Sequence, residues 1–258
     1  MSDFQPNQES QFNQYGTPPT TPVVRGPMRT KPVLVWVILV LTVLFFIVQT
    51  IFEQTTGIDF PFLYLGKINQ AILAGQIWRL ITPVFLHGNI LHLFSNMYAL
   101  YVLGRNNEML NGHLRFGLLY FLSAFGGNVL SFVLGNYTSL GASTAVFGLL
   151  AAEAVFIWQN RTFFGNQAGR SLRSIVMVLM LNLMIGLRPG GVIDNWGHLG
   201  GLIAGFFFSY LAGVRWQIDR IDGGYPAFID RREKKEIIMA VVLVFVAFAA
   251  IAVIPFLR

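Results

Sequence analysis

The sequence predicts an all-α, polytopic membrane protein, and three observations carry that reading. Of the 258 residues, 54% are hydrophobic and only 12% charged, about half the roughly 25% charge of a soluble domain, and the mean hydropathy is +0.59. Apolar runs of about 20 residues, the length a helix needs to cross a hydrocarbon core about 30 Å thick, recur along the chain. The basic residues, finally, sort to one side of those runs. With the N-terminal tail in the cytoplasm, fourteen of the eighteen Lys and Arg residues lie in cytoplasmic segments, and only Lys67, Arg79, Arg188 and Arg258 lie outside, the asymmetry of the positive-inside rule. The formal charge of +6 is therefore read as a topology signal, not as a nucleic-acid footprint. Cysteine is absent, which excludes disulfides and thiolate chemistry. With four histidines, no metal or other cofactor is expected.

Taken in order, residues 1–31 are rich in Gln, Asn, Pro, Ser and Thr and read as a disordered cytoplasmic tail, since such a segment cannot bury a core. No signal peptide is expected, and Asp3 and Glu9 without an early Arg argue against a mitochondrial transit peptide. Membrane spans are predicted at 33–52, 83–104, 114–135, 142–160, 173–189, 196–214 and 236–257. The first six make a core over 32–214; residues 215–235 form a polar, basic cytoplasmic linker; residues 236–258 supply a seventh transmembrane helix. The first external loop, about 53–82, is itself apolar at Phe60-Pro61-Phe62-Leu63-Tyr64-Leu65 and Ala71-Ile72-Leu73, so it should lie in the interface or against the helices. Later external connections, near 136–140 and 190–195, are short and Gly-rich. No internal repeat is visible.

Chemistry is sought among polar residues inside these spans, where they are expensive. Ser143 stands 18 residues before Arg161 and His198 stands 17 before Arg215, about 27 and 25 Å above their cytoplasmic anchors at 1.5 Å per residue, so the two side chains can meet at one depth. A lone membrane serine is ordinarily satisfied by the preceding turn of its own helix. Here Gly141 and Ala142 leave room beside it, and a helix N-terminus offers free N–H groups that can hold a developing oxyanion. Gly201 and Gly205 share a helical face with His198, a small-residue seam that packs helices closely and could bring the imidazole to Ser143. In the segment His87 to Asn96, read as the outer half of the second span, His92 and Asn96 share a face and His87 lies about 140° away. A metal site would need three converging ligands and lacks any HExxH pattern; two polar donors suit an oxyanion better. Glu153, about ten residues below Ser143, is read as a structural hydrogen-bonding group, and Asp194 as the cap of the sixth span. Asn136 and Asn160 match the glycosylation pattern, a weak signal.

Together these residues resemble the rhomboid family of intramembrane serine proteases over roughly residues 76–210. Trp78-Arg79 is similar to that family's Trp-Arg signature, His87 to Asn96 to its second-helix spacing, Gly104 to Glu108 and Gly112 to its Gly-Glu-Gly segment, Gly141-Ala142-Ser143 to its Gly-x-Ser motif, and His198 with Gly201 and Gly205 to its His-x-x-Gly-x-x-x-Gly helix. The resemblance implies a Ser-His dyad with Ser143 as nucleophile and His198 as base and then acid. It implies an oxyanion site made of His92, Asn96 and the Ser143 backbone N–H. Phe147 matches an aromatic position packed on the base. Thr144 stands where many members carry Gly, which bears on substrate preference. Substrates would be single-pass membrane proteins cut near the outer end of their transmembrane helix, in contact with the lipid bilayer, and six helices plus one is a known arrangement in the family. The charge bias and lack of a transit peptide point to a bacterial plasma membrane. Two competing functions stay open: a catalytically silent rhomboid-like chaperone for membrane proteins, and a small-solute transporter, which would call for repeated or broken helices in two halves.

Overall fold

The computed structural model describes residues 30–186, 193–221 and 225–257. Most of the expected tail with Arg25 and Arg29, the 187–192 stretch with Arg188, and Arg258 lie outside the described residues. Helix α1 (Leu34–Thr56) has no capping side chain of its own at its N-terminus. Glu108 supplies it: the backbone N–H groups of Val33, Leu34 and Val35 donate to its carboxylate at 3.0, 2.7 and 2.8 Å, filling donors that a helix start leaves orphaned, where a negative charge also suits the helix dipole. The helix stops at Gly57, whose φ of 73° permits the left-handed cap.

The first loop is folded rather than slack. It contains α2 (Phe60–Leu65), capped by Asp59, α3 (Asn69–Leu73) and two 3₁₀ turns, Ile77–Leu80 and Thr82–Phe85. Ile72, Leu80 and Val84 bury themselves in the main core, so this loop lies against the helices as its apolar composition predicts. The next helix, α4 (Ile90–Ala99), begins later than the predicted span at 83. Pro83 is held in the 3₁₀ turn, and Asn89 sets the helix start by accepting from the His92 N–H at 2.8 Å. His87 therefore precedes the helix, and the helical angle assigned between it and His92 does not apply.

A π-helical turn, Leu100–Gly104, joins α4 to α5 (Arg105–Leu134). Drawn straight, the 45 residues from Ile90 to Leu134 would reach roughly 67 Å, twice the hydrocarbon core. The chain reverses instead at Gly112, which has φ 78° and ψ 168°, and a Cβ on Gly104 would meet the Phe116 ring at 3.3 Å. There follow α6 (Ser143–Gln159), α7 (Arg161–Phe164), α8 (Asn166–Gly186), α9 (Asn195–Ala212) and α10 (Lys234–Val253).

Among the described residues, four helical runs, Leu34–Thr56, Ile90–Leu134, Asn166–Gly186 and Lys234–Leu257, are long and apolar enough to cross a membrane. The chain is a polytopic, α-helical membrane protein. Exposed Val40, Leu44 and Ile47 on α1, Met177 and Leu181 on α8, and Val242 and Val246 on α10 make apolar surfaces that suit lipid, not water.

At the centre α5, α6 and α9 pack on one another through small residues. A Cβ on Gly126 would stand 2.6 Å from the Ala204 Cβ, one on Gly205 2.4 Å from the Gly148 Cα, and one on Gly201 2.0 Å from the Thr144 carbonyl oxygen. Such backbone approaches exclude any side chain, and they replace the hydrophobic drive that lipid does not provide between helices. Within the segment 215–235, read from sequence as a polar, basic linker, strands β1 (Trp216–Ile221) and β2 (Tyr225–Asp230) pair antiparallel, with Trp216 opposite Asp230. Trp216 packs edge-on against Phe156 of α6, ring centroids 4.9 Å apart, which docks this hairpin on the helix ends.

Candidate active site

Ser143 is the first residue of α6. The turn before it depends on Gly141, whose φ of 124° lies where side chains are strained. Its N–H donates to the Pro83 carbonyl at 2.9 Å, and the Ala142 N–H donates to His87 Nε2 at 3.4 Å. His87, 1% exposed, thus braces the serine turn; its own N–H donates to Gln49 Oε1 of α1 at 3.0 Å. Its ring lies edge-on to that of His92, centroids 4.9 Å apart.

His92 comes from α4. A Cβ on Gly141 would sit 2.8 Å from His92 Cε1 and Nε2 and 3.9 Å from Ser143 Oγ, so imidazole and hydroxyl border one small volume that a glycine keeps open. Asn96 is buried at 6% exposure, and its amide donates one N–H to the His92 carbonyl at 2.9 Å, leaving a second.

His198 comes from the first turn of α9, its N–H donating to the Asp194 carbonyl at 3.0 Å. Its ring stacks face to face on Phe147 of α6, centroids 4.1 Å apart and planes 11° apart, four residues after Ser143 and therefore on the same helical face. The glycine contacts of the α6–α9 seam set that stack. Among the described residues no hydrogen bond joins Ser143 Oγ to His198.

Asp194 caps α9 by accepting from the Gly197 N–H at 2.7 Å, and it also accepts from the hydroxyls of Ser131 and Tyr137. Tyr137 in turn faces Lys67 of the first loop, whose Nζ donates to its carbonyl at 2.6 Å. Burial pushes the Lys67 ammonium down to about 8, with the Asp194 carboxylate acting the other way, and burial and Asp194 together push the Tyr137 phenol up. Sequence reasoning missed Gln49, Lys67 and Tyr137. A glutamine inside an apolar run was the available signal for Gln49; the others act through contacts between distant loops.

The remaining predicted residues are structural neighbours. Arg79, 2% exposed, ties the first loop by donating to the carbonyls of Gly66 and Leu63 and to Gln76 Oε1; Trp78 donates to the Tyr64 carbonyl at 3.0 Å. Glu153 accepts no hydrogen bond among the described residues; it faces a cavity of about 280 Å³ with Asn106, Gln167 and Ser171, away from Ser143. No set of three His, Cys, Asp or Glu side chains among the described residues lies close enough to share a metal ion.

Fold and site together define a polytopic helical membrane protein with a polar cluster at the heads of two closely packed helices. The chain belongs to the rhomboid family: the family model for the Rhomboid domain matches residues 74–215. It is similar to RHOMBOID-like protein 5 of Arabidopsis thaliana, 36% identical over 176 residues, 66% of this chain and 56% of that protein. It is similar to Rhomboid protease GluP of Bacillus subtilis (strain 168), 36% identical over 184 residues, 71% of this chain and 36% of that one, and to Rhomboid-like protease 1 of Toxoplasma gondii, 40% identical over 146 residues, 54% and 48%. The match thus spans between about a third and just over half of these relatives' length.

Proposed function

We propose that the chain is an intramembrane serine endopeptidase that cleaves single-pass membrane proteins near the outer end of their transmembrane helix. The observation that carries this reading is the pair of contacts at the head of α6: His198 stacked on Phe147, and His92 against Gly141 beside Ser143. They support reading His198 as the base, Ser143 as the nucleophile and His92 as a polar donor beside a helix N-terminus. In this mechanism neutral His198 takes the Ser143 proton as Oγ attacks the scissile carbonyl, and the tetrahedral oxyanion is held by the Ser143 N–H, His92 and the free Asn96 N–H. His198 then protonates the leaving amine. Water deprotonated by the same imidazole hydrolyses the acyl-enzyme, regenerating the Ser143 hydroxyl.

We read the architecture as a six-helix core over 32–214, with the chain from Ile90 to Leu134 counted as two spans, and a seventh helix, α10, behind the hairpin. At 17 residues, α6 reaches about 25 Å, short of the ~30 Å hydrocarbon core, which supports a Ser143 submerged below the outer surface. The charge bias supports a cytoplasmic N-terminus in a bacterial plasma membrane. A substrate helix must unwind to present its backbone, so breakers below the cleavage point should favour it.

The test is cleavage of a single-pass substrate by the purified chain in liposomes, beside Ser143→Ala and His198→Ala. Cleavage by the wild type alone is expected. Cleavage that persists in Ser143→Ala would contradict the mechanism; no cleavage by any form would return the function to a silent chaperone.

A further inference from the structure

At the end of the α6–α9 pair away from Ser143, an open cleft of about 850 Å³ lies between the helix ends and strand β1. Four arginines line it: Arg161, Arg215, Arg231 and Arg232. Arg232 is already engaged, with Nη1 on Glu236 at 3.0 Å and its other nitrogens on the Tyr210 and Gly213 carbonyls. The other three are exposed, and among the described residues none has a carboxylate within ion-pair distance. Asp230, the acid beside them, is taken by the Arg115 guanidinium and by the backbone N–H groups of Arg215 and Arg232. Three positive charges gathered on one cleft repel one another and leave it short of an anion. The positive-inside rule asks only that arginines lie on one side of a membrane; it does not ask them to converge.

The surroundings say what kind of anion. The Arg161 guanidinium lies 5.9 Å from the Trp158 ring centroid, and Trp158 stacks on Tyr210, centroids 6.0 Å apart. Both rings stay more than two-fifths exposed, at 44% and 42%. Half-exposed Trp and Tyr mark headgroup depth, and Ile218, 45% exposed, adds apolar surface to the same cleft. Guanidinium groups match phosphate oxygens with paired donors, while an aromatic shelf suits a glycerol backbone and acyl chain better than a fully hydrated ion.

We propose that this cleft binds the phosphate headgroup of an anionic phospholipid through Arg161, Arg215 and Arg231. The site stands independently of any chemistry at Ser143. Each arginine should contribute about fivefold to affinity, the factor that corresponds to about 1 kcal/mol per basic residue at a membrane surface.

The experiment is native mass spectrometry of the full chain in detergent, titrated with dioctanoyl phosphatidylglycerol, dioctanoyl phosphatidylcholine or inorganic phosphate. Saturable binding of one phosphatidylglycerol per chain is expected, with phosphatidylcholine much weaker. Arg161→Gln/Arg231→Gln should lose about 25-fold in affinity, while Arg170→Gln/Arg173→Gln, an equal change of charge on exposed α8 residues, should lose less than threefold. Equal losses in the two pairs would overturn the site in favour of a diffuse positive surface. Displacement of the lipid by millimolar inorganic phosphate would overturn the headgroup assignment and leave a site for a soluble anion.

Discussion

A methyl group placed on Gly201 would stand 2.0 Å from the Thr144 carbonyl oxygen, 2.8 Å from its carbonyl carbon and 3.2 Å from its Cα, all of them α6 backbone. None of these atoms can swing aside as a side-chain tip could. To restore an ordinary contact of 3.4 Å, α9 and α6 must part by about 1.4 Å at the level of the His198–Phe147 stack. Overpacking of this kind costs about 1–3 kcal/mol of stability, and a displacement near 1 Å between reacting groups costs about 10²-fold in rate. Gly201→Ala is therefore expected to lower kcat/KM on a transmembrane substrate by about 100-fold while the protein stays folded by thermal melting in detergent. Gly169→Ala, a helical position where a Cβ meets nothing within 4 Å, should leave both unchanged. Wild-type activity in a folded Gly201→Ala variant would refute the claim that this seam sets the distance between base and nucleophile.

Phe147→Ala removes the ring on which the His198 imidazole rests and should lower kcat/KM by about 3–10-fold, as expected for a stack worth roughly 0.5–1.5 kcal/mol, with Phe147→Tyr close to wild type. Glu108→Ala strands the three α1 N–H groups that its carboxylate accepts and should lower the unfolding free energy by roughly 3 kcal/mol, read by denaturant titration in micelles. Lys67 offers a pH test. Its ammonium sits at about 8 in the fold against 10.5 for the free group, so between those values the unfolded chain binds the extra proton, and this residue's contribution to stability rises with pH. The difference in unfolding free energy between wild type and Lys67→Met, read by denaturant titration at each pH, should be flat below pH 8. From pH 8 to 10.5 it should move in the wild type's favour, by up to about 3 kcal/mol; a flat difference across that window would contradict the burial of this charge.

The membrane architecture was legible because lipid dictates it residue by residue. Long apolar runs mark α1, α6, α9 and α10 to within a few positions, and the small-residue face of His198, Gly201 and Gly205 marks the α6–α9 seam. What failed was local. Residues 83–89 continue the apolar run into Ile90, yet Pro83 and the Asn89 cap hold them out of the helix, so hydropathy placed His87 on a face it does not occupy. The hairpin went unseen because its polar and basic residues read as a linker, although the alternation of Trp216 and Ile218 and the Asp222-Gly223-Gly224 sequence carried a strand and turn signal. The Lys67, Tyr137 and Asp194 contacts join loops far apart in sequence, and no periodicity encodes them. Glu108 was singled out by resemblance alone; its place under three N–H groups of α1 gives that resemblance a physical reason.

In the proposed mechanism Ser143 is a nucleophile activated by His198. A fluorophosphonate probe, which reacts with an activated serine hydroxyl and not with an ordinary one, measures that property without any choice of substrate. Incubated with the folded chain in liposomes and mapped by peptide mass spectrometry, the adduct is expected on Ser143, and labelling should fall at least 100-fold in His198→Ala. Labelling of Ser143 that is unchanged in His198→Ala, or no adduct on Ser143 in a folded wild type, would contradict it.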